Sequence, residues 1–118
     1  MIFCGGFIIS IFFSITSGNQ YSKKKKNQQN LEYVSLDFSE NILNQVLTDL
    51  YDKNILSVIV EGGSILINAF INDNLWDEAR MLVGEEIIGP GIPSPSIPRE
   101  PELITNIGRD KLIIFKNA

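Results

Sequence analysis

The residues with the clearest chemical potential are Glu61, Gly62, Gly63 and Ser64, which follow a run of apolar, β-branched residues. Glycine tolerates positive φ and lets another molecule come within contact distance of the main chain. A helix that opens at Ser64 leaves its first N–H groups unpaired and carries a partial positive charge, which suits a phosphate. A plain strand-to-helix turn, sharp enough to need glycines, fits the same residues, and the pattern leaves both interpretations open.

The polar side chains around this turn have separate predicted roles. Ser64 could cap the helix or supply a hydroxyl donor. Glu61, at the carboxyl end of the strand, would face the crevice where open α/β sheets bind ligands. Asp77 and Glu78 lie on a later predicted strand, where neighbouring side chains point to opposite faces. We therefore interpret them as polar residues at the strand entrance and not as a catalytic pair.

Two absences exclude whole classes of mechanism. The chain has no histidine, which excludes a Ser-His-Asp triad, imidazole acid–base chemistry and histidine-containing zinc sites within one chain. Its single cysteine, Cys4, excludes an internal disulfide and a multi-cysteine metal site. Cys4 lies in an apolar run, which predicts simple burial. The sequence predicts no metal site and marks no catalytic nucleophile.

Charge is distributed unevenly along the 118 residues. Residues 1–30 contain four of the ten basic residues and none of the fourteen acidic ones, so residues 31–118 carry a net charge of −8. This acidic body argues against nucleic acid as a partner, because binding a duplex depends on basic side chains that neutralise phosphates. The length allows one domain at most. We expect an apolar segment and Lys-rich linker over 1–30 and the folded part over 31–118.

The folded part is predicted to begin with a β-α-β unit. A short strand over 31–35 precedes a helix whose start is marked by a capping box, Asp37 with Glu40, and Ser39 is the competing cap. A buried strand over 55–61 closes the unit, and the crossover rule predicts that the two strands are parallel. The apolar face of the helix is made of Ile42, Leu43, Val46, Leu47, Leu50 and Tyr51.

Three further elements are predicted after the glycine turn and its helix. Residues 75–84 predict a third strand. All five prolines fall in residues 89–102, which indicates an extended surface loop, with a PxxP ligand for an SH3-type partner as the alternative. Residues 103–107 and 112–115 predict a closing hairpin around a turn at 108–110.

The amino-terminal segment 1–15 is strongly apolar, but it is shorter than the ~20 residues of a membrane-spanning helix and no basic residue precedes it. Three interpretations stay open. The segment is a membrane anchor, a weak signal sequence, or else a buried strand or a stretch left without a proper partner because the chain is a fragment. If it inserted, the run Lys23 to Lys26 would keep the body in the cytoplasm.

The run SVIVEGGSILINAFINDNLWDEARMLVG, with the Gly- and Pro-rich loop and the closing IGRDKLIIF, resembles the C-terminal half of the reductase domain of the bifunctional deaminase-reductase of riboflavin biosynthesis. The resemblance covers about residues 31–118 and is carried by V-E-G-G, the following helix and L-W-D-E. It implies an α/β fold, a partial dihydrofolate-reductase-like fold with a mixed sheet, a parallel β-α-β core and a C-terminal hairpin.

For function, the resemblance implies a cytoplasmic, NADPH-dependent reductase. Its small-molecule substrate would be a pyrimidine ribosyl phosphate, 5-amino-6-(5-phosphoribosylamino)uracil, whose ribosyl group is reduced to ribityl by hydride transfer. Glu61 matches the family's substrate-contacting acid. The positions that match the family's cofactor site are Gly63, Ser64, Ile65, Leu66, Ile67, Asn68 and Ala69.

The chain also departs from that family. Without histidine it cannot hold the family's zinc-dependent deaminase domain, and residues 1–30 show no motif of the first half of the reductase domain. The resemblance therefore implies a truncated or split gene product that works as a homodimer or with a complementing chain. Such a chain would expose a sheet edge. A non-catalytic nucleotide-binding remnant and a small membrane-tethered protein with an acidic domain are the alternatives.

Overall fold

The computed structural model describes residues 2–4, 34–87 and 89–118, the first of these by backbone alone. The chain divides into two compact units, Phe12–Asn54 and a larger one made of Met1–Ile11 with Ile55–Ala118. The elements, in chain order, are β1 Ile2–Cys4, α1 Ile42–Asp52, β2 Val58–Val60, α2 Ser64–Asn72, β3 Glu78–Val83, β4 Leu103–Ile107 and β5 Asp110–Lys116.

Helix α1 lies in the unit Phe12–Asn54, and its amino end differs from the predicted capping box. The N-cap is Asn41, whose Oδ1 accepts a hydrogen bond from the backbone N–H of Asn44 at 3.0 Å. The Asp37 carboxylate instead accepts from the N–H and the hydroxyl of Ser39, at 2.9 and 2.7 Å, and closes a turn before the helix. The prediction that Asp37 caps α1 with Glu40 is therefore wrong, because Ser39 occupies the carboxylate.

The predicted apolar face of α1 is largely confirmed. Val46 and Leu50 are buried, and the flanking apolar residues are half-buried, but Tyr51 is 69% exposed and does not belong to the buried face. The helix ends as expected after Asp52. Asn54 follows with φ +60°, the left-handed conformation that asparagine tolerates better than most residues at a helix end.

The larger unit contains a five-stranded sheet in the order β2-β1-β3-β5-β4. Every pair of neighbouring strands is antiparallel. Because β1 is antiparallel to both β2 and β3, the last two run in the same direction with β1 between them. Helix α2 connects β2 to β3, so the chain crosses over one strand.

The prediction of a parallel β-α-β core over residues 31–61 is not confirmed. Val34 and Ser35 are exposed and belong to no strand, and residues 31–33 lie outside the described part. The neighbour of β2 is the antiparallel strand Ile2–Cys4. The first residues of segment 1–15, Ile2–Cys4, have the backbone of a strand, as in the third interpretation of that segment. The side chain of Cys4, the rest of that segment and the Lys-rich linker lie outside the described residues.

Register assigns the buried side chains to one face of the sheet. Val60 and Ala79 both lie opposite Ile2, and Ala79 also lies opposite Phe115. Val60, Ala79 and Phe115 therefore share one face of the sheet with Val58. All four are buried. We call this the covered face. β2 is shorter than predicted, since Leu56 before it is 68% exposed.

Helix α2 contributes the best-buried residue of the described chain. Phe70 is 1% exposed, and its neighbours Ile67 and Ile71 are buried with it. The helix ends in a Schellman motif, in which the N–H of Leu75 donates to the Phe70 carbonyl at 2.9 Å and the N–H of Asn74 donates to the Ile71 carbonyl at 3.1 Å. Asn74 takes the left-handed conformation, φ +56°, that this motif needs.

The predicted C-terminal hairpin is confirmed as β4 and β5. Ile107 pairs with Asp110, so the turn has two residues and not the three expected. Gly108 has φ +64° and Arg109 does not have positive φ, which is the pattern of a type II′ turn. On the other side of β5, β3 pairs along its full length with Lys111–Lys116, and β3 starts at Glu78 and not at residue 75.

The proline-rich segment 89–102 runs as an extended, largely exposed loop without a helix or strand, as expected. Asn117 holds both the proline-rich loop and the turn before β3. The Asn117 amide donates to the side chain of Asn74 at 3.0 Å and to the Trp76 carbonyl at 2.8 Å, and its Oδ1 accepts from Arg99 at 3.0 Å. Arg99 is thus held against the fold's own surface.

Candidate functional site

The candidate site lies where β2 ends and the chain turns into α2. β2 and β3 run in the same direction, and β3 continues to Val83, beyond the level at which β2 ends. Val60 and Ala79 are level with each other across β1, about 10 Å apart at the usual strand spacing. Glu61, Gly62 and Gly63 therefore leave the sheet beside the carboxyl half of β3, the usual location of ligands in α/β sheets.

The first turn of α2 leaves backbone donors free. Gly63 is the N-cap, and its carbonyl accepts from the N–H groups of Leu66 and Ile67 at 3.1 and 3.3 Å. The N–H groups of Ser64 and Ile65 have no acceptor within the described chain. The prediction that Ser64 caps the helix is wrong, because Ser64 is already the first helical residue and no side chain caps this end.

The two glycines are not required by the backbone. Neither has positive φ, and Gly63, at φ −63° and ψ 157°, has dihedral angles open to any residue. A Cβ at Gly62 would meet the Leu66 side chain at an ordinary 3.6 Å, and a Cβ at Gly63 would meet nothing within 4 Å. The turn explanation for these glycines is thus not supported. What Gly63 provides is open space beside its own Cα, at the residue that immediately precedes the unpaired N–H groups of Ser64 and Ile65.

This arrangement fits the phosphate of a nucleotide cofactor, which needs converging N–H donors and close approach to the main chain. The seven predicted cofactor residues do not contribute equally. Ile65 is 87% exposed and Ile67 is 9% exposed, so the side chain of Ile67 belongs to the core. Ser64 and Asn68, four residues apart on one helical face, are half-buried, as are Leu66 and Ala69.

Glu61 is brought close to the turn but is not used by it. Its side chain is exposed and makes no hydrogen bond or ion pair within the described chain. A carboxylate and a phosphate would repel each other at the same helix end, so Glu61 suits a neutral or cationic group and not the phosphate itself. The structure thus leaves Glu61 available for a second ligand next to the phosphate position.

An ion cluster on β3 was missed by the sequence interpretation. Glu78 contacts Arg80 at 2.5 Å and forms an ion pair with Lys116, which lies directly opposite on β5. Hydrogen bonds from Lys116 and then from Arg80 hold the pKa of Glu78 below its usual value, and Glu78 in turn raises the pKa of Lys116. Asp77 is exposed. Glu78 therefore links β3 to β5, and only the cross-strand register shows its partner.

A concave surface of about 580 Å³ lies elsewhere, along α1. It is open and lined in part by the carboxylates of Asp37, Glu40, Asp49 and Asp52. Such a surface repels phosphate, so it is not the nucleotide site. Among the described residues no cluster of acidic or cysteine side chains could hold a metal ion, and no described helix is long and apolar enough to cross a membrane.

The chain matches the sequence model of a known protein family. The sequence model of the RibD C-terminal domain matches residues 13–105, which include α1, β2, the glycine turn, α2 and β3. No curated protein matches the chain. Members of this family are reductases of the riboflavin pathway, with a dihydrofolate-reductase-like fold and a pyridine nucleotide cofactor. Since the match covers most of the 118 residues, this chain belongs to the RibD C-terminal domain family.

Proposed function

We propose that the chain binds NADPH at the amino end of α2 and serves the reduction of a phosphorylated ribosylaminopyrimidine to its ribityl form. The observation that carries this proposal is the open space at Gly63, the N-cap residue, next to the unpaired N–H groups of Ser64 and Ile65 in the sequence. This turn lies within the part of the chain that matches the family.

The N–H groups of Ser64 and Ile65 would hold a cofactor phosphate, and the Ser64 hydroxyl is the nearest side-chain donor in the sequence. The first turn of α2 carries no acidic residue, so no carboxylate of that turn repels the additional phosphate that distinguishes NADPH from NADH. The exposed Ile65 offers an apolar surface beside the same position. These features support phosphate binding, and the choice of NADPH rests on the family resemblance.

Glu61 would orient the second ligand. Its free carboxylate can accept charge-assisted hydrogen bonds from a substrate hydroxyl or amine. The reduction adds a hydride to the anomeric carbon and a proton to the ring oxygen, which opens the ribose to ribityl while the nicotinamide is oxidised. The cofactor supplies the hydride, and the contribution of Glu61 and the α2 turn is to hold the two reactants in the required orientation.

The variant Gly63→Ala tests the cofactor site. Alanine fits the backbone of Gly63 and meets no atom within 4 Å, so the variant should fold like wild type while its methyl group occupies the phosphate position. We expect nicotinamide fluorescence titration to show NADPH affinity reduced at least about tenfold, the equivalent of ~1.4 kcal/mol. Gly91→Ala is the matched control, because its Cβ also meets nothing within 4 Å and it lies in the proline loop.

Two results would contradict the cofactor assignment. One is wild-type protein that binds no NADPH at millimolar concentration, and the other is equal affinity in wild type and Gly63→Ala. NADH titrated in parallel tests the preference for the phosphorylated cofactor. If NADPH binds but the chain alone turns over no substrate, a nucleotide-binding domain without catalysis is the better description.

Glu61→Gln tests the substrate role separately. It removes the negative charge but retains the shape of the side chain, so NADPH affinity should not fall while kcat/KM for the ribosyl substrate falls about 10- to 100-fold. Unchanged kcat/KM would remove Glu61 from the site.

A further inference from the structure

The first half of the proline-rich loop carries apolar side chains that the fold does not use. Ile87, Ile65 and Ile92 are the most exposed large apolar residues of the described chain, at 96%, 87% and 86%. Two of them lie in residues 85–87 and 89–92, which we call the loop arm. Side chains exposed to this degree do not stabilise the free chain, because they remove no apolar surface from water. Their position relative to the candidate site therefore decides what they do.

The loop arm is attached to the fold only at its two ends. It begins where β3 ends, and beyond it Arg99 is held by the side chain of Asn117. Between these points the described residues 85–87 and 89–97 make no hydrogen bond, and every described residue of the arm is exposed. A segment with so few contacts can move at a low cost in free energy. Gly89, at φ +82°, adds conformational freedom.

The proline-rich loop crosses the same face of the sheet as α2. β3 and β4 are both antiparallel to β5, so the loop joins two parallel strands across a third strand, as α2 does between β2 and β3. Both connections step in the same direction across the sheet, and right-handed crossovers of this kind lie on one face. The contacts agree, because the side chain of Asn117 binds both Asn74, at the end of α2, and Arg99, at the end of the loop.

The loop arm starts beside the amino end of α2. Val60 is level with Ala79, and β3 continues for about 13 Å past that level, to Val83. Val83 has the orientation of the buried Ala79 but is 42% exposed, so the covered face is open here. Ile92 follows Gly84 by eight residues, a reach of up to ~26 Å, which exceeds the ~10 Å between β3 and β2. The arm is thus long enough to extend over the glycine turn.

We infer that the loop arm closes over a nucleotide bound at the amino end of α2, and that Ile87 and Ile92 cover one of its rings on the side opposite Ile65. The inference rests on the proposed function, because it needs a ligand whose phosphate is held at that helix end. A nicotinamide or adenine ring has two flat faces, and aliphatic side chains on both sides remove them from water. The charged residues of the arm, Glu85 and Glu86, lie at its base next to β3, away from the phosphate.

Other occupants of the loop arm lead to different expectations. An SH3-type partner would use a basic residue beside the prolines, but Arg99 is already held by Asn117. A second copy of the chain would cover the arm as the protein concentration rises, with or without a nucleotide. Closure over a nucleotide depends on NADPH and not on the protein concentration.

Hydrogen exchange of the full chain, measured by NMR, tests the closure. With saturating NADPH, the amides of Ile87, Gly89, Gly91 and Ile92 should exchange at least about fivefold more slowly, because the closed arm has less access to water. The amide of Thr105, on β4 at the far edge of the sheet, should not change. The measurement is repeated at two protein concentrations tenfold apart, and the slowing should be equal at both.

The double variant Ile87→Ala/Ile92→Ala tests the contact itself. Both side chains are exposed in the free chain, so far-UV circular dichroism should show a wild-type fold. We expect nicotinamide fluorescence titration to give an NADPH Kd raised about 5- to 20-fold, mainly through faster dissociation in stopped-flow measurements. Leu56→Ala/Leu82→Ala is the matched control. These leucines are 68% and 66% exposed, one before β2 and the other on the face of β3 opposite to α2, so the Kd should stay the same.

The outcomes separate this inference from the proposed function. If Gly63→Ala weakens NADPH binding but Ile87→Ala/Ile92→Ala binds like wild type, the cofactor site stands and the closure is refuted. An equal effect of the leucine control, exchange in the arm that ignores NADPH, or slowing that follows protein concentration alone would refute the closure too. Wild type that binds no NADPH at millimolar concentration removes both the site and the arm's role at it.

Discussion

The ion cluster around Glu78 gives a stability prediction that can be worked from the structure. Only 15% of the Glu78 side chain is exposed, and it accepts hydrogen bonds from Lys116 and Arg80, which are 46% and 44% exposed. Glu78→Gln removes the charge but hardly changes the volume. Hydrogen bonds to a charged group contribute about 1.5–3 kcal/mol. Because both cations regain water in the variant, we expect a loss of about 1–2 kcal/mol.

The pH dependence follows from the direction of the two pKa shifts. The pKa of Glu78 is lowered from 4.5 in the folded chain, so its contribution is complete well above pH 4.5 and is lost as the pH falls through the folded pKa. The pKa of Lys116 is raised from 10.5, so its contribution is complete below pH 10.5 and is lost as the pH rises through the folded pKa. The stability difference between wild type and variant should therefore be full near neutral pH and shrink in acid.

Thermal unfolding measures this difference. At roughly 4 °C for each kcal/mol, Glu78→Gln should lower Tm by about 4–8 °C at pH 7 and by less at about pH 4. Glu86→Gln is the control, because Glu86 is exposed and makes no ion pair in the described chain. Equal Tm values for wild type and Glu78→Gln at pH 7, a difference that does not shrink in acid, or an equal effect of Glu86→Gln would refute the reasoning.

Two further changes probe how the loops and the core are fixed. Asn117→Ala removes the hydrogen bonds to Asn74, Trp76 and Arg99 and should lower the free energy of unfolding in urea by about 1–3 kcal/mol. Amide exchange in the proline loop should become faster. Unchanged exchange there would show that other contacts hold the loop. Phe70→Ala leaves a cavity at the best-buried position of the described chain and should lower the free energy of unfolding by about 3–5 kcal/mol. Ile65→Ala, at a position that is 87% exposed, should lower it by less than ~0.5 kcal/mol. Similar losses for both variants would mean that burial does not determine the loss of stability.

Local patterns in the sequence predicted the elements that local physics determines. The spacing of Val46 and Leu50 gave the buried face of α1, and the glycine turn gave the start of α2 to within one residue. The hairpin followed from a Gly-containing turn between two apolar runs. Each of these depends on neighbours within a few positions, which is why the sequence alone was sufficient.

Competition between nearby groups and pairing between distant ones were not predictable in this way. Asp37 and Asn41 are both good caps, and in the structure Asn41 caps α1 whereas Asp37 accepts from Ser39. The prediction of a parallel core was not confirmed, because the strand next to β2 is formed by residues 2–4. A local sequence pattern does not indicate such a distant partner. At the candidate site, the sequence indicated which residues could bind a phosphate, but it did not indicate why position 63 is a glycine. Gly63 has no positive φ, and its lack of a side chain leaves open space there.

The position of β1 has a consequence for how the molecule folds. Ile2 pairs with Val60, 58 positions later, and with Ala79, 77 positions later, so the strand between β2 and β3 is joined to its neighbours by very distant contacts. Closing such long loops is slow, because the chain loses conformational entropy before the hydrogen bonds between the paired strands stabilise it. During synthesis the first strand leaves the ribosome long before either neighbour exists. We therefore expect the three paired strands β3, β5 and β4 to form early and the insertion of β1 to set the folding rate.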